Sequence, residues 1–265
     1  MKKIAYILGL FLVLSSCAGD WLETEPESST ATGTIFETTE NAALAVNGIC
    51  RLMANQYLDS QGFNGEGTIK TYFGNYPGND FQRSNLTGWS SITNALYHER
   101  STSSYCYYPW FYYYKLIVNA NAIIMNIDNA KGTDSEKQFI KAQALTFRAY
   151  SYLMLSQLYC HRWADSNNGA SRGLPLRTDL STGDLEASTL AQVYSRIYED
   201  LDEAVSNFTS SGKDRASGDN YSPNKSVAYA VYARAALTRE DWSTAAQYAA
   251  LARANFPLMS NDEYV

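Results

Sequence analysis

The sequence predicts an all-α fold of antiparallel helix pairs with a loop-rich lobe set into it. Three observations carry that prediction. Residues 138–163 run without Gly or Pro and repeat apolar side chains at helical spacing. Further on, Tyr229, Tyr232, Ala233 and Ala236, followed by Ala245, Ala249 and Pro257, keep the spacing of a tetratricopeptide repeat. Between residues 59 and 104 no period survives: Gly62, Gly65, Gly67, Gly74, Gly78 and Gly88 are scattered among Asn, Asp, Ser and Thr, and Tyr72, Phe73, Tyr76, Phe81, Trp89 and Tyr97 stud the stretch. An irregular stretch of that length inside a compact domain is usually functional, so it is the main candidate for a site.

At the start of the chain, Lys2 and Lys3 precede an apolar run over residues 4–14, too short to span a bilayer and laid out like a secretory signal covering residues 1–16. Leu14-Ser15-Ser16-Cys17 has the pattern of a bacterial lipobox, in which the cysteine is lipidated and becomes the new N-terminus. Several acyl chains on Cys17, at ~0.8 kcal/mol per buried methylene, would anchor the protein without a membrane span. The alternative is a chance cysteine beside an ordinary cleavage site. Residues 17–34, rich in Ser, Thr, Glu and Gly around Pro26, read as a tether, and residues 35–265 as the helical domain.

The chain as a whole has ample material for a core, with 45% hydrophobic and 14% aromatic residues. A net charge of -6 leaves no basic footprint, which excludes nucleic acid as a partner class. The 21 tyrosines offer apolar faces and hydroxyls together, chemistry that suits wet recognition surfaces as well as cores. Cys50, Cys106 and Cys160 form neither a disulfide framework nor a metal spacing; they read as buried free thiols, with one disulfide left open.

Ala42, Leu44, Ala45, Val46, Ile49 and Leu52 predict a first amphipathic helix over about residues 37–56. Helical repeats then fill about residues 108–257. Residues 105–114 hold eight aromatics and lead into an apolar helix over 115–129; Tyr112 to Tyr114 read as core, while Tyr105, Tyr107 and Tyr108 stay open between core and site. The segment 138–163 is apolar on every side, which marks a buried helix rather than a span, because Arg148 and Gln157 interrupt it. Arg148 is expected to be buried or half-buried and paired. Gly173-Leu174-Pro175-Leu176 follows as an extended exit. Val193, Ile197, Leu201, Ala204, Val205 and Phe208 form a stripe over residues 190–208, and Glu199, Asp200, Asp202 and Glu203 read as its solvated face. In the last pair, Trp242 is expected to fill the corner between helices.

These residues resemble the SusD/RagB family of nutrient-binding outer-membrane lipoproteins of Bacteroidetes. The lipobox is followed by Asp20-Trp21-Leu22 and Pro26. Trp110, Tyr114, Asn119, Asn121 and Ile123-Ile124 come next, then Lys141-Ala142-Gln143-Ala144-Leu145 with Phe147-Arg148-Ala149. Tyr152-Leu153 and Leu158-Tyr159 lead to Gly173-Leu174-Pro175-Leu176, and Tyr198-Glu199-Asp200-Leu201 with Ala204 precedes Ala233-Arg234-Ala235-Ala236-Leu237 and Asp241-Trp242. The match departs from the family in the loop over residues 161–172 and in length, since family members run to roughly twice this chain; a sequence truncated at its C-terminus is the expectation.

The resemblance implies a right-handed superhelical tetratricopeptide-like scaffold and an irregular lobe that binds glycan at the cell surface. It also implies delivery to a SusC-type TonB-dependent outer-membrane transporter, with no catalysis and no cofactor. In the lobe, Asn79-Asp80-Phe81-Gln82-Arg83 and Trp89 match the region where aromatics stack on sugar rings. Trp89 and Asp80, then Tyr72, Tyr76, Arg83 and Asn85, are the candidate ligand-binding residues, with a packed anchor as the alternative for Trp89.

Three other readings stay open. A surface glycoside hydrolase would need a pair of lobe carboxylates such as Glu66 and Asp80. A peptide-binding repeat scaffold would use the helical groove instead of the lobe. Calcium in the Asp165-Ser166-Asn167-Asn168-Gly169 loop would need further oxygen ligands from elsewhere.

Overall fold

The computed structural model describes residues 32–55, 63–78, 92, 94–98 and 100–264. It divides into two compact units, residues 1–35 and 36–265; the described part of the first is one helical turn, Thr32–Ile35. The lipobox and tether lie outside the described residues.

In the second unit, helix α1 (Thr39–Leu52) opens on a capping Thr38, whose hydroxyl accepts from the Asn41 amide at 3.2 Å, and it buries Ala42, Val46 and Ile49 along one face. Its N-terminus is tied to a distant turn through Thr39 N to Lys131 O (2.9 Å) and Lys131 N to Glu37 O (2.8 Å). A Cβ on Gly132 would lie 2.1 Å from the Thr39 hydroxyl, so only glycine admits this approach. α2 (Gly65–Lys70) passes into a π-helical turn, Thr71–Asn75.

α3 (Ser104–Asn126) is capped by Ser103. α4 (Asp134–Tyr159) begins in a reciprocal capping box between Thr133 and Glu136, four residues before the segment that periodicity picks out. All residues from Ala142 to Ala149 and from Ser151 to Ser156 are buried, which makes α4 the central rod. It packs against α3, α5, α1 and α6. A two-stranded antiparallel ribbon, β1 (Arg172–Pro175) and β2 (Ala187–Thr189), leads into α5 (Leu190–Ser211), which ends on Gly212 at φ 61°. Then come α6 (Lys225–Thr238), α7 (Trp242–Arg253) and the short α8 (Asn261–Tyr264). From α3 to α7 each helix is a neighbour of the next; short links join α3 to α4 and α6 to α7, while longer loops lead from α4 to α5 and from α5 to α6.

The expected stripe of α5 is buried at Val193, Ile197, Leu201, Ala204 and Phe208. Asp200 corrects the sequence reading, because it is 1% exposed rather than solvated. It lies between Ile197 and Leu201 on the inward face, where its two oxygens accept from Arg148 Nε (2.8 Å) and Nη2 (2.6 Å). Arg148 Nη1 donates to Asn121 Oδ1 at 2.9 Å, so α3, α4 and α5 meet in one polar knot. Burial works against the Arg148 charge, but the hydrogen bonds and charge of Asp200 outweigh it and raise the guanidinium pKa.

Trp242 is the second correction: it is 62% exposed. Tyrosines join the last helices instead. The Tyr232 ring stacks on Tyr248 at 3.8 Å and on Tyr198 at 4.9 Å, linking α5, α6 and α7. Such pairs add about 0.5–1.5 kcal/mol each beyond area burial. Among the described residues no helix is long and apolar enough to cross a membrane, and Cys50, Cys106 and Cys160 are free and half-buried.

Candidate ligand-binding site

The lobe is built outward from the N-terminus of α3. Gly65, at φ 63°, brings the start of α2 against the end of α1, where a Cβ would lie 2.0 Å from Met53 O, and Glu66 N donates to that same oxygen at 3.0 Å. The α2 turn then delivers Tyr72, Phe73 and Tyr76 to the aromatic entry of α3.

Tyr72 is 6% exposed. Its ring lies edge-on to Tyr105 at 5.2 Å and to Phe63 at 6.2 Å, and Tyr76 lies 5.9 Å away. Tyr97 stacks flat on Tyr105 at 5.1 Å. Burial pushes the Tyr72 and Tyr105 hydroxyls above their ordinary pKa, so both stay protonated donors at neutral pH. This cluster is a rigid floor. Tyr76, half-buried at its edge, keeps more surface for a ligand than Tyr72 does. Asp80, Arg83, Asn85 and Trp89 lie outside the described residues.

Beside the floor opens a cavity of about 400 Å³, within the range of small-ligand pockets. Phe73, His98, Tyr107, Trp110 and Tyr159 give it aromatic walls. Tyr107 is 51% exposed and stacks on Phe111 at 5.9 Å, while Trp110 stands edge-on to Tyr159 at 5.1 Å. Tyr159 is fixed by donating its hydroxyl to Cys106 O at 2.6 Å, and the Cys106 thiol donates to His98 O at 2.9 Å. His98 Nε2 lies 2.8 Å from Tyr72 O; a carbonyl only accepts, so Nε2 carries the proton. Its Nδ1 is buried and has no hydrogen-bond partner among the described residues. Aromatic faces beside Ser101 suit a ring that presents C–H on its face and hydroxyls on its rim.

Sequence reasoning left Tyr105, Tyr107 and Tyr108 open, and the structure divides them. Tyr108 is 3% exposed and donates to Gly65 O at 3.1 Å, whereas Tyr107 faces out. The signal was the helical period itself. Tyr107, Trp110, Phe111 and Tyr114 share one side of α3, and Tyr108, Tyr112 and Tyr113 share the buried one. His98 and Phe73 had no such signal, because they come to the cavity from a loop and from a short π-helical turn.

Glu66 is 8% exposed and accepts from the hydroxyls of Tyr113 (3.1 Å) and Tyr150. It does not line the aromatic cavity. Asp165 of the suggested calcium loop accepts from Arg162 Nε at 2.8 Å, and the Ser166 hydroxyl accepts from Gly169 N at 2.8 Å, so the loop's oxygens serve its own turn. Among the described residues no three His, Cys, Asp or Glu side chains cluster as a metal site.

Residues 20–237 match a SusD-like family model described as starch-binding and associating with the outer membrane. The fold is similar to that of a SusD-like carbohydrate-binding protein from Bacteroides vulgatus, with TM-score 0.73 and 24% identity over 86% of this chain and 48% of that one. A SusD superfamily protein from Bacteroides thetaiotaomicron gives TM-score 0.67 and 25% identity over 86% and 49%. A laminarin-binding SusD-like protein gives TM-score 0.59 and 17% identity over 84% and 44%. The chain thus spans about half the length of these solved structures. No curated protein matches it by sequence. With the family model aligned over most of its length and the helical scaffold shared with these structures, the chain belongs to the SusD-like family.

Proposed function

We propose that this chain captures oligosaccharide or polysaccharide at the cell surface, as part of a lipoprotein anchored in the outer membrane through Cys17. It performs no chemistry on the glycan and passes it to a SusC-type TonB-dependent transporter. The observation that carries the reading is the open aromatic cavity, with Tyr107 half out of the protein above Trp110 and Tyr159. Family membership supports carbohydrate as the ligand class, and a similar fold in a protein that binds laminarin makes a β-glucan a reasonable member of a test panel. In this reading Tyr76 and Tyr107 offer stacking surface, and Tyr72 holds Tyr76 from beneath. Trp89, Asp80, Arg83 and Asn85 complete the ligand surface from the same lobe.

The test is affinity electrophoresis and calorimetry against starch, laminarin and other soluble polysaccharides. Wild-type protein is expected to bind at least one without releasing reducing sugar. Tyr107→Ala and Trp89→Ala should each weaken binding about tenfold or more, a loss of ~1.4 kcal/mol or more. Unchanged binding in both variants would move recognition to the helical groove, as a peptide-binding scaffold requires. Steady release of reducing ends would overturn the non-catalytic assignment.

A further inference from the structure

A second aromatic stands away from the lobe. Tyr221, in the loop between α5 and α6, is 81% exposed, and its backbone is tied down on both sides. Asp219 Oδ1 accepts from the amides of Tyr221 (2.9 Å) and Ser222 (3.0 Å), and Asp219 Oδ2 accepts from the Ser222 hydroxyl. Arg215 Nη1 donates to Ser222 O at 3.3 Å, and Gln143 Nε2 donates to Pro223 O at 3.1 Å. A large ring is therefore presented to water on a braced loop.

Tyr221 lines two cavities at once. One, of about 300 Å³, is also lined by Glu66, Tyr150, Arg215, Asn220 and Arg234. The other, of about 430 Å³, is also lined by Asn47, Cys50, Arg51 and Asp219. None of Arg51, Arg215 and Arg234 is ion-paired among the described residues, and Arg234 rests over the Tyr150 ring at 5.5 Å, although the chain carries a net charge of -6. The two carboxylates present are already engaged. Glu66 takes the Tyr113 and Tyr150 hydroxyls and has Lys70 at 3.6 Å, and Asp219 is taken up by the loop it braces. Arg215 gives one donor to Ser222 O and Arg234 one to Met154 Sδ at 3.4 Å, but three guanidinium groups with no carboxylate partner among the described residues, beside an exposed aromatic ring and two asparagines, favour a sugar that carries an anion. The ring supplies a stacking face, the amides reach hydroxyls, and a planar guanidinium takes a carboxylate or sulfate through paired N–H donors.

We infer that Tyr221 with Arg51, Arg215 and Arg234 forms a subsite for an acidic sugar residue, a uronate or a sulfated sugar, separate from the aromatic cavity of the lobe. The inference rests on the glycan-binding reading and narrows its substrate class.

Calorimetry with tetragalacturonate, its methyl ester and a sulfated tetrasaccharide tests it, with the neutral panel above run on the same protein. The free acid or the sulfated probe is expected to bind about tenfold tighter than the ester at low salt, with the preference fading as salt rises. Preference for the acid assigns carboxylate as the anion, and preference for the sulfated probe assigns sulfate; either supports the subsite. Arg234→Gln and Arg215→Gln should each reduce the preference severalfold, Arg234→Lys should retain part of it, and Tyr221→Ala should weaken all three probes. Circular dichroism verifies that each variant is folded. Equal affinity for acid, ester and sulfated probe, or a preference untouched by both Gln variants, overturns the subsite while binding of neutral glycans still upholds the lobe reading. Failure of every glycan, neutral and acidic, overturns both.

Discussion

Arg148 is the residue on which the interior turns. A guanidinium at the centre of an otherwise apolar helix is costly unless its donors are matched, and here Asp200 takes two of them and Asn121 a third. Asn121 spends its own amide on Arg177 O and Asp179 O, each at 3.0 Å, so the knot also fixes the chain that leaves β1. Removing Asp200 strands the guanidinium, and removing Arg148 leaves the buried carboxylate with only Arg196 Nη1, 3.4 Å away; losing one partner of a buried pair typically costs about 3–5 kcal/mol. Arg148→Met should lower stability by that amount in chemical denaturation, and Asp200→Asn should lower it less because the amide still accepts one bond. The double variant Arg148→Met with Asp200→Leu should recover most of the loss, since neither charge is then left buried. Half of this knot was legible in the sequence. A lone Arg inside an apolar run announces a need for a partner. Asp200 stands among Glu199, Asp202 and Glu203, and a run of carboxylates reads as a solvated face until tertiary packing shows which one turns inward.

At the scale of elements, the helix starts carry much of the specification. Thr133 and Thr189 open α4 and α5 with capping boxes, Ser103 and Asn224 cap α3 and α6, and α1 is bound to the α4 start by Thr39 donating to Glu136 at 3.0 Å. Glu136 thus serves two helices. Its carboxylate accepts from the Thr133 amide and the Thr39 hydroxyl, which together with Lys213 hold its pKa down to about 2 from an ordinary 4.5. A carboxylate whose folded pKa is depressed stabilises the fold fully above its unfolded value and loses that contribution as pH falls through the folded value. The melting temperature is therefore expected to fall between pH 4.5 and 2 in part through this group, and Glu136→Gln should flatten that limb while leaving the curve at pH 7 lower than wild type. Element existence was readable for the long helices α1 and α3 to α7 because their apolar period is strong, but not for the short α2 and its π-helical turn, which lie where no period survives. The exact ends were less so: the period marks residues 138–163, but the box at Thr133 and the extended Cys160 set the true limits of α4.

For the whole molecule, scaffold and recognition surface are separate in kind, and this explains what could be read in advance. The scaffold follows from period, caps and small residues, all of which are local in sequence. The candidate site is assembled from Phe73 on the π-helical turn, His98 on a loop, Tyr107 and Trp110 on α3, and Tyr159 at the end of α4, and no local pattern announces that meeting. Sequence reasoning picked out the lobe from its glycines and aromatics and left Tyr107 open between core and site; the candidate cavity draws its walls from both the lobe and α3. The separation also fixes a final expectation, that stability and binding dissociate. Tyr107 is 51% exposed, so Tyr107→Ala should change stability by no more than about 0.5 kcal/mol, a shift of about 1–2 °C for a domain of this size. Its affinity for glycan should nonetheless fall about tenfold. Arg148→Met, buried away from the cavity, should lower the melting temperature by about 6 °C or more and, measured well below that temperature, bind glycan as wild type does. Scanning calorimetry and binding isotherms on the two variants read both quantities. If loss of the Arg148 knot weakened binding as much as loss of Tyr107, the cavity would depend on the scaffold's polar centre, and the two parts would have to be treated as one.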